Sequence, residues 1–196
     1  MPEILKKLSE LIGFMPGIGE KTAMKLAFFL LKSHPSYLKN LSENIAELQR
    51  SVHECANCFS LTDTGHSECD ICRNEVRKTP TLCVVEDYLD LVSIERLGIH
   101  HGRYHVLGGV VSPIAGKMPS DLHMKELFAR IKDESITEII LALNPNIEGE
   151  ATCLYIEEHI PAKSTKITRL SKGLPNAGFI EYADEITLLN AFRGRN

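Results

Sequence analysis

The chain has no run of roughly eighteen consecutive apolar residues, so no segment reads as a membrane-spanning helix. Its opening, Met-Pro-Glu-Ile-Leu-Lys-Lys, lacks the apolar core of an export signal, and a cytoplasmic protein with no membrane partner is expected. There is no overall positive charge: the formal net charge is -4, so any binding to nucleic acid must come from a local basic surface. A Gly-x4-Gly-Lys-[Ser/Thr] phosphate loop is also missing, which argues against nucleotide hydrolysis of the kind that depends on one. Internal repeats and low-complexity tracts are absent. What remains is a 196-residue chain, 43% hydrophobic, with room for one ordinary domain or two small ones and enough apolar content to bury a core.

The most informative feature present is Cys55-x2-Cys58-x10-Cys69-x2-Cys72. Each Cys-x-x-Cys pair can offer two sulfurs from one tight knuckle, and the intervening spacer lets the knuckles face each other around a tetrahedral ion. That spacer is rich in Thr, Asp, Gly, His and Ser, too polar to bury itself, so a metal has to supply the folding energy. With all four positions cysteine, no coordination site is left for a catalytic water. The expectation is one structural Zn2+ held by Cys55, Cys58, Cys69 and Cys72. Two disulfides are the competing arrangement, disfavoured because no secretory signal precedes the motif and because Cys83 and Cys153 sit in apolar contexts as small packing residues.

Ile4, Leu5, Leu8, Leu11 and Ile12 recur at helical spacing, Gly13 and Pro16-Gly17-Ile18-Gly19 interrupt, and a second apolar helix runs to about Leu31. Pro35 opens a third, with Leu38, Leu41, Ile45 and Leu48 on one face. After Pro80 the texture changes to alternating strands and helices. Strands are expected at Thr81 to Val85, Tyr104 to Leu107, Glu138 to Leu143 and Lys166 to Leu170. Helices are expected up to Gly98, from Ser120 to Asp133, after Glu148 and from Asp184 to Phe192. Such alternation implies a parallel sheet covered by helices on both faces. Gly108-Gly109 and Ser112 to Pro119 read as a mobile loop, and the apolar face of the last helix as a place where another subunit could dock.

The segment from Leu11 to Leu26 resembles a helix-hairpin-helix, a module that grips nucleic-acid backbone without reading bases. The physics suits that role. Gly17 and Gly19 carry no side chains, so their amides can approach a phosphate, and the next helix starts there with its positive end aimed the same way. Lys21 and Lys25, four apart, share one helix face and would neutralise neighbouring phosphates, giving salt-dependent, sequence-indifferent binding. A lysine at 25 holds phosphate less directionally than an arginine would. Up to Lys32 the chain carries five lysines against three acids, and Lys163, Lys166, Arg169 and Lys172 form a second basic cluster. The plainer alternatives are a glycine turn between core helices and solvated surface charge.

Glu86 ends the first strand of the α/β half, and Leu143-Asn144-Pro145-Asn146-Ile147-Glu148-Gly149-Glu150 ends a later one. This pairing resembles the Toprim fold of topoisomerases, primases and related nucleases. There an early glutamate serves as general acid or base and an Asp-x-Asp motif holds magnesium. Here both aspartates of that pattern are Asn144 and Asn146. Magnesium favours anionic oxygen, and each exchange removes on the order of 4 kcal/mol of attraction at ~4 Å and an effective dielectric near 20. No substitute nucleophile is evident beside Glu86, although Tyr88 is near in sequence. The reading is a scaffold with no catalytic residues. Glu86, Asp87, Asp90, Glu148 and Glu150 would then form an acidic surface for a basic partner, unless they only cap helices. The alternative is a metal-dependent Toprim nuclease or primase.

Hairpin, four-cysteine site, Toprim segment and the tail from Arg169 to Leu188 follow one another in an order that resembles the bacterial RecR recombination mediators, over essentially the whole chain. That resemblance implies an α+β protein in several parts: a helix-hairpin-helix domain at 1–53, a C4 zinc finger at 54–78, a Toprim domain with a mainly parallel sheet at 79–174, and an oligomerisation tail at 175–196. It implies a ring-shaped homotetramer that encircles DNA, works with RecO and RecF in recombinational repair and helps load RecA on gapped DNA. DNA contact would fall to Gly17, Gly19, Lys21 and Lys25, and a degenerate site facing a partner to Glu86, Asn144, Asn146 and Glu148. The Gly-Leu-Pro tail of such proteins is likened to a Walker B element.

Overall fold

The computed structural model describes residues 1–160, 165–171, 174 and 179–193, excluding the side chains of 186, 192 and 193. It separates into two compact units, Met1–Ser51 and Val52–Asn196.

In the first unit, helix α1 (Glu3–Gly13) and α2 (Glu20–Lys32) are joined by the glycine turn, and α3 (Pro35–Ser51) follows. Leu5, Ile12, Ala23 and Ala27 form a small core, with Leu8, Ile18 and Leu30 packed against it. The alanines let the two helices approach closely. In contrast, α3 buries no residue: Ile45 is 61% and Leu48 63% exposed, so the apolar row expected along it is real and lies on the surface.

The second unit opens with an antiparallel hairpin of β1 (Val52–Glu54) and β2 (Leu61–Asp63), in which His53 faces Thr62. A short helix, α4 (Asp70–Arg73), completes the cysteine-bearing module. The sheet beyond it contains β3 (Thr81–Val85), β4 (Arg103–Val106), β5 (Glu138–Ala142) and β6 (Lys166–Arg169), all parallel, in the order β4-β3-β5-β6. Helices α5 (Tyr88–Glu95), α6 (Met124–Asp133) and α7 (Ile147–His159) connect them, and α8 (Glu185–Arg193) ends the described chain.

Side chains alternate across β3. Leu82 and Val84 pack with Leu127 of α6 and Cys153 and Ile156 of α7 on one face. Cys83 and Val85 pack with Leu91 of α5 on the other, where Phe59 and Ile71 of the cysteine module also lie. Helices therefore cover both faces, as the near-continuous apolar strands require. Burial pushes the Cys83 thiol up to about 12, so at neutral pH it is a protonated packing group.

Differences from the sequence expectations are local. The helix expected from Ser120 begins at Met124, because Pro119 to Asp121 form a 3-10 turn first. The segment read as a mobile loop closes on itself: the Ser112 and Lys117 amides each donate to the other's carbonyl, both at 2.9 Å, leaving Ile114 fully exposed at the tip. Lys163, Lys172, Gly173 and Pro175, and the side chains of Ile186 and Phe192, lie outside the described residues.

Candidate metal centre and nucleic-acid interface

Cys55 follows β1, Cys58 lies in the knuckle, Cys69 caps α4 and Cys72 sits within it. Their four sulfurs lie within 4.8 Å of one another, and all four residues are buried. Cys58 Sγ and Cys69 Sγ are 3.6 Å apart, against about 3.8 Å for the edge of a regular tetrahedron with metal–sulfur bonds near 2.3 Å. All four are free thiols, which sets aside the disulfide arrangement. The Cys69 amide donates to Cys55 Sγ at 3.2 Å, and an amide aimed at sulfur stabilises a thiolate. Four converging sulfurs with an amide partner fit one closed, four-coordinate ion.

The module is fastened to the sheet at both ends. The Val106 amide donates to the Cys58 carbonyl at 2.8 Å. Further along, Arg77 forms a bidentate pair with Glu95 of α5 at 2.6 and 2.9 Å and donates through Nε to the Gly102 carbonyl at 2.9 Å. Arg77 holds the Glu95 carboxyl below the usual carboxylate range. Spacing gave no sign of Arg77, because its partners are distant in sequence.

In the first unit, Gly17 has φ 76 and Gly19 leads into α2 as its N-cap. A Cβ at either position would meet nothing within 4 Å, so the space on the side-chain face of both residues is open. The Ile18 amide donates back to the Met15 carbonyl at 3.1 Å, and its side chain packs into the α1–α2 core, which fixes the turn from inside. Lys21 and Lys25 are exposed on α2, and neither pairs with a carboxylate among the described residues. Lys6 and Lys7 differ, being engaged by Glu10 at 3.8 Å and Glu3 at 2.8 Å. The two lysines singled out by spacing thus have no carboxylate partner among the described residues and lie on the helix that follows the glycine turn.

The sheet order makes β3 and β5 the pair from which the chain leaves in opposite directions, the crevice where open α/β sheets bind ligands at their carboxyl ends. Glu86 follows β3 and Asn144 follows β5, and Asn144 Nδ2 donates to Glu86 Oε2 at 2.9 Å. The Asn146 side chain is the N-cap of α7, accepting from the Gly149 amide at 2.8 Å. Asp87 caps α5 in the same way, accepting from the amides of Leu89 (2.8 Å) and Asp90 (3.0 Å). Glu150 turns to Arg169, which also holds Glu157 through two bonds of 2.8 Å. Glu86, Asp90 and Glu148 are the part of the acidic group that neither caps a helix nor engages Arg169. The Asp90 carboxyl is held above its ordinary value, first by desolvation, then by Asp87 and, less, Glu86. A cavity of about 650 Å3 adjoins the crevice, lined in part by Asp90, Asn144, Glu150, Arg169 and Asp184.

Gly149 is dictated by geometry, since an added Cβ would overlap the Asn144 carbonyl oxygen and press on Asn146 Oδ1. Gly149→Ala is expected to destabilise the second unit by about 1–3 kcal/mol and to loosen the Asn144 turn, measured as a shift in urea midpoint with unchanged metal content.

Comparison with known proteins agrees with both units. Residues 80–171 match the Toprim domain family, and residues 5–48 match the family described as RecR, helix-hairpin-helix. "Recombination protein RecR" of Streptomyces coelicolor is 44% identical over 192 residues, covering 98% of this chain and 96% of the relative. The protein of the same name from Myxococcus xanthus is 44% identical over 194 residues, covering 99% and 98%. That of Acidothermus cellulolyticus is 42% identical over 192 residues, covering 98% and 96%. With such identity sustained from the hairpin through the cysteine cluster to the tail, this chain belongs to the RecR family of recombination proteins.

Proposed function

We propose that the chain is a non-catalytic mediator of recombinational DNA repair, one that holds DNA by its backbone and recruits partners instead of cutting or joining strands. The observation that carries the proposal is the Asn144 Nδ2 to Glu86 Oε2 hydrogen bond of 2.9 Å. In a magnesium-dependent Toprim site the residue at 144 would be an anion sharing a cation with the glutamate. An amide donor in its place spends the glutamate's lone pair on an N–H, and it removes one of the anionic oxygens that a strongly hydrated cation requires. Asn146, used as a helix cap, removes the other.

In this reading the hairpin amides and Lys21 and Lys25 hold phosphate, Zn2+ is the ion of the cysteine cluster, and the protein works in the cytoplasm at the nucleoid. Glu86, Asn144, Asn146 and Glu148 form a partner surface, with RecO and RecF as partners in loading RecA onto gapped DNA. The boundaries at 53/54, 78/79 and 174/175 divide these tasks. Exposed apolar rows on the first unit, among them Leu11, Phe14, Ile45 and Leu48, support self-association and with it the tetrameric ring.

Divalent-ion titration of the metal-loaded protein tests the core of this proposal. Wild type is expected to show no saturable magnesium binding in the crevice and no nicking of DNA with magnesium or manganese. Asn144→Asp with Asn146→Asp should regain magnesium binding. Sustained nicking by wild type, lost in Glu86→Gln but retained in Lys21→Ala, would establish a nuclease instead.

A further inference from the structure

The outer edge of β4 is closed by two unrelated groups. Alternate residues of an edge strand turn their amides and carbonyls outward, and an uncovered row of them is a template for pairing with another strand. Leu107 donates inward to the Val85 carbonyl at 3.0 Å, so the outward residues are Tyr104 and Val106. The Tyr104 carbonyl accepts from Arg130 Nη1 at 2.6 Å. Arg130 belongs to α6 and is anchored by Glu134 at 2.8 Å, so this closure is built from the sheet's own helix.

The closure at Val106 is different, since it comes from the carbonyl of Cys58, one of the four clustered cysteines. The next residue, Phe59, has φ 60, and its ring stacks on His123 (3.8 Å, 11°) while meeting His105 edge-on (5.4 Å, 71°). The knuckle therefore grips β4 by one hydrogen bond and one ring. From Val106 the chain passes directly through Leu107 to Gly108 and Gly109, whose amides both donate to the Glu86 carbonyl at 3.0 Å.

We propose that metal occupancy of the cysteine cluster is a conformational lock on the second half of β4 and, through Gly108 and Gly109, on the backbone that carries Glu86. With the ion bound, the knuckle holds the Cys58 carbonyl on the strand edge. Without it, four thiols have no common centre, Phe59 leaves its stack and Val106 is released, while Arg130 keeps Tyr104 closed. The opening is thus confined to the half of the edge that adjoins the crevice, so metal loss reports to the partner surface before it unfolds the sheet. This rests on reading the cluster as a metal centre and adds the coupling to it.

Amide hydrogen exchange on the full chain tests the lock in three samples: metal-loaded, stripped by chelator, and the metal-loaded Phe59→Gly variant. Glycine accepts φ 60 without strain and leaves all four cysteines, so this variant should keep wild-type metal content while losing the ring contact. Stripping is expected to speed exchange at Val106 by about tenfold or more, the factor that goes with losing one net hydrogen bond, with Gly108 and Gly109 following. Phe59→Gly should show the same pattern to a smaller degree, and amides of β5 should not change in either. Unchanged Val106 protection in a stripped protein whose Cys69 amide exchanges freely overturns the lock alone. A chain that takes up no metal overturns the metal reading, and the lock with it. If stripping makes every amide of the unit exchange together with Val106, the ion holds the whole unit and not one half of an edge, and the lock is overturned; wild-type protection at Val106 in Phe59→Gly removes the ring from the lock and leaves the Cys58 carbonyl as its sole grip.

Discussion

Cys72→Ser is expected to abolish metal binding and to unfold residues 52–73 while the first unit keeps its helices. The module has little else to stand on. Its regular structure is two strands of three residues and one four-residue helix, and its own buried apolar residues are chiefly the cysteines themselves. Structural zinc sites in small peptides contribute about 10–16 kcal/mol at neutral pH, as much as the entire stability of an ordinary domain. Removing one thiolate from a closed four-sulfur site forfeits most of that. Chelation of the wild type should do the same reversibly, with structure returning on adding Zn2+. The measurement is metal stoichiometry beside far-ultraviolet circular dichroism and hydrogen exchange. Retention of native protection at Cys55 and Cys69 in the metal-free variant would show that the module folds on packing alone.

Lys21→Ala combined with Lys25→Ala is expected to weaken DNA binding by about 10- to 100-fold at low salt and to flatten its salt dependence by about two in log–log slope per chain engaged. Both side chains are exposed, so the substitutions should leave the melting temperature nearly unchanged. The loss should be equal for unrelated DNA sequences, because phosphate contacts carry no base information. Reversing the sign with Lys21→Glu should deepen the loss, whereas Lys6→Ala, which removes a lysine already engaged by Glu10, should have a much smaller effect. Equal binding by wild type and double variant across a salt series would assign the hairpin a packing role only.

Much of this architecture is legible in the sequence alone. Helix periodicity gives α1 to α3, and short runs bounded by turn signals give the four strands of the parallel sheet, because both signals are carried by a few neighbouring residues. The cysteine cluster was readable for the same reason: two knuckles encode their own geometry. Contacts that join distant segments were not readable. The Arg77–Glu95 pair, the Val106–Cys58 bond and the sharing of Glu134 between the buried Arg103 and Arg130 each depend on how strands are ordered. Nothing in local composition fixes that order. The acidic group shows the boundary well. Asp87 as a helix cap follows from its place before α5, but the engagement of Glu150 by Arg169 requires β6 to lie beside α7.

The pairing of β3 with β5, where Thr81 lies opposite Glu138, also sets an order of events during synthesis. The α1–α2 hairpin needs only its own first few dozen residues and is complete almost as soon as it leaves the ribosome. The sheet must wait for a strand far downstream, and such non-local parallel pairings are the slow step of folding. A nascent chain therefore acquires its phosphate-facing turn early and its partner-facing crevice late, and a truncated product would carry the first without the second.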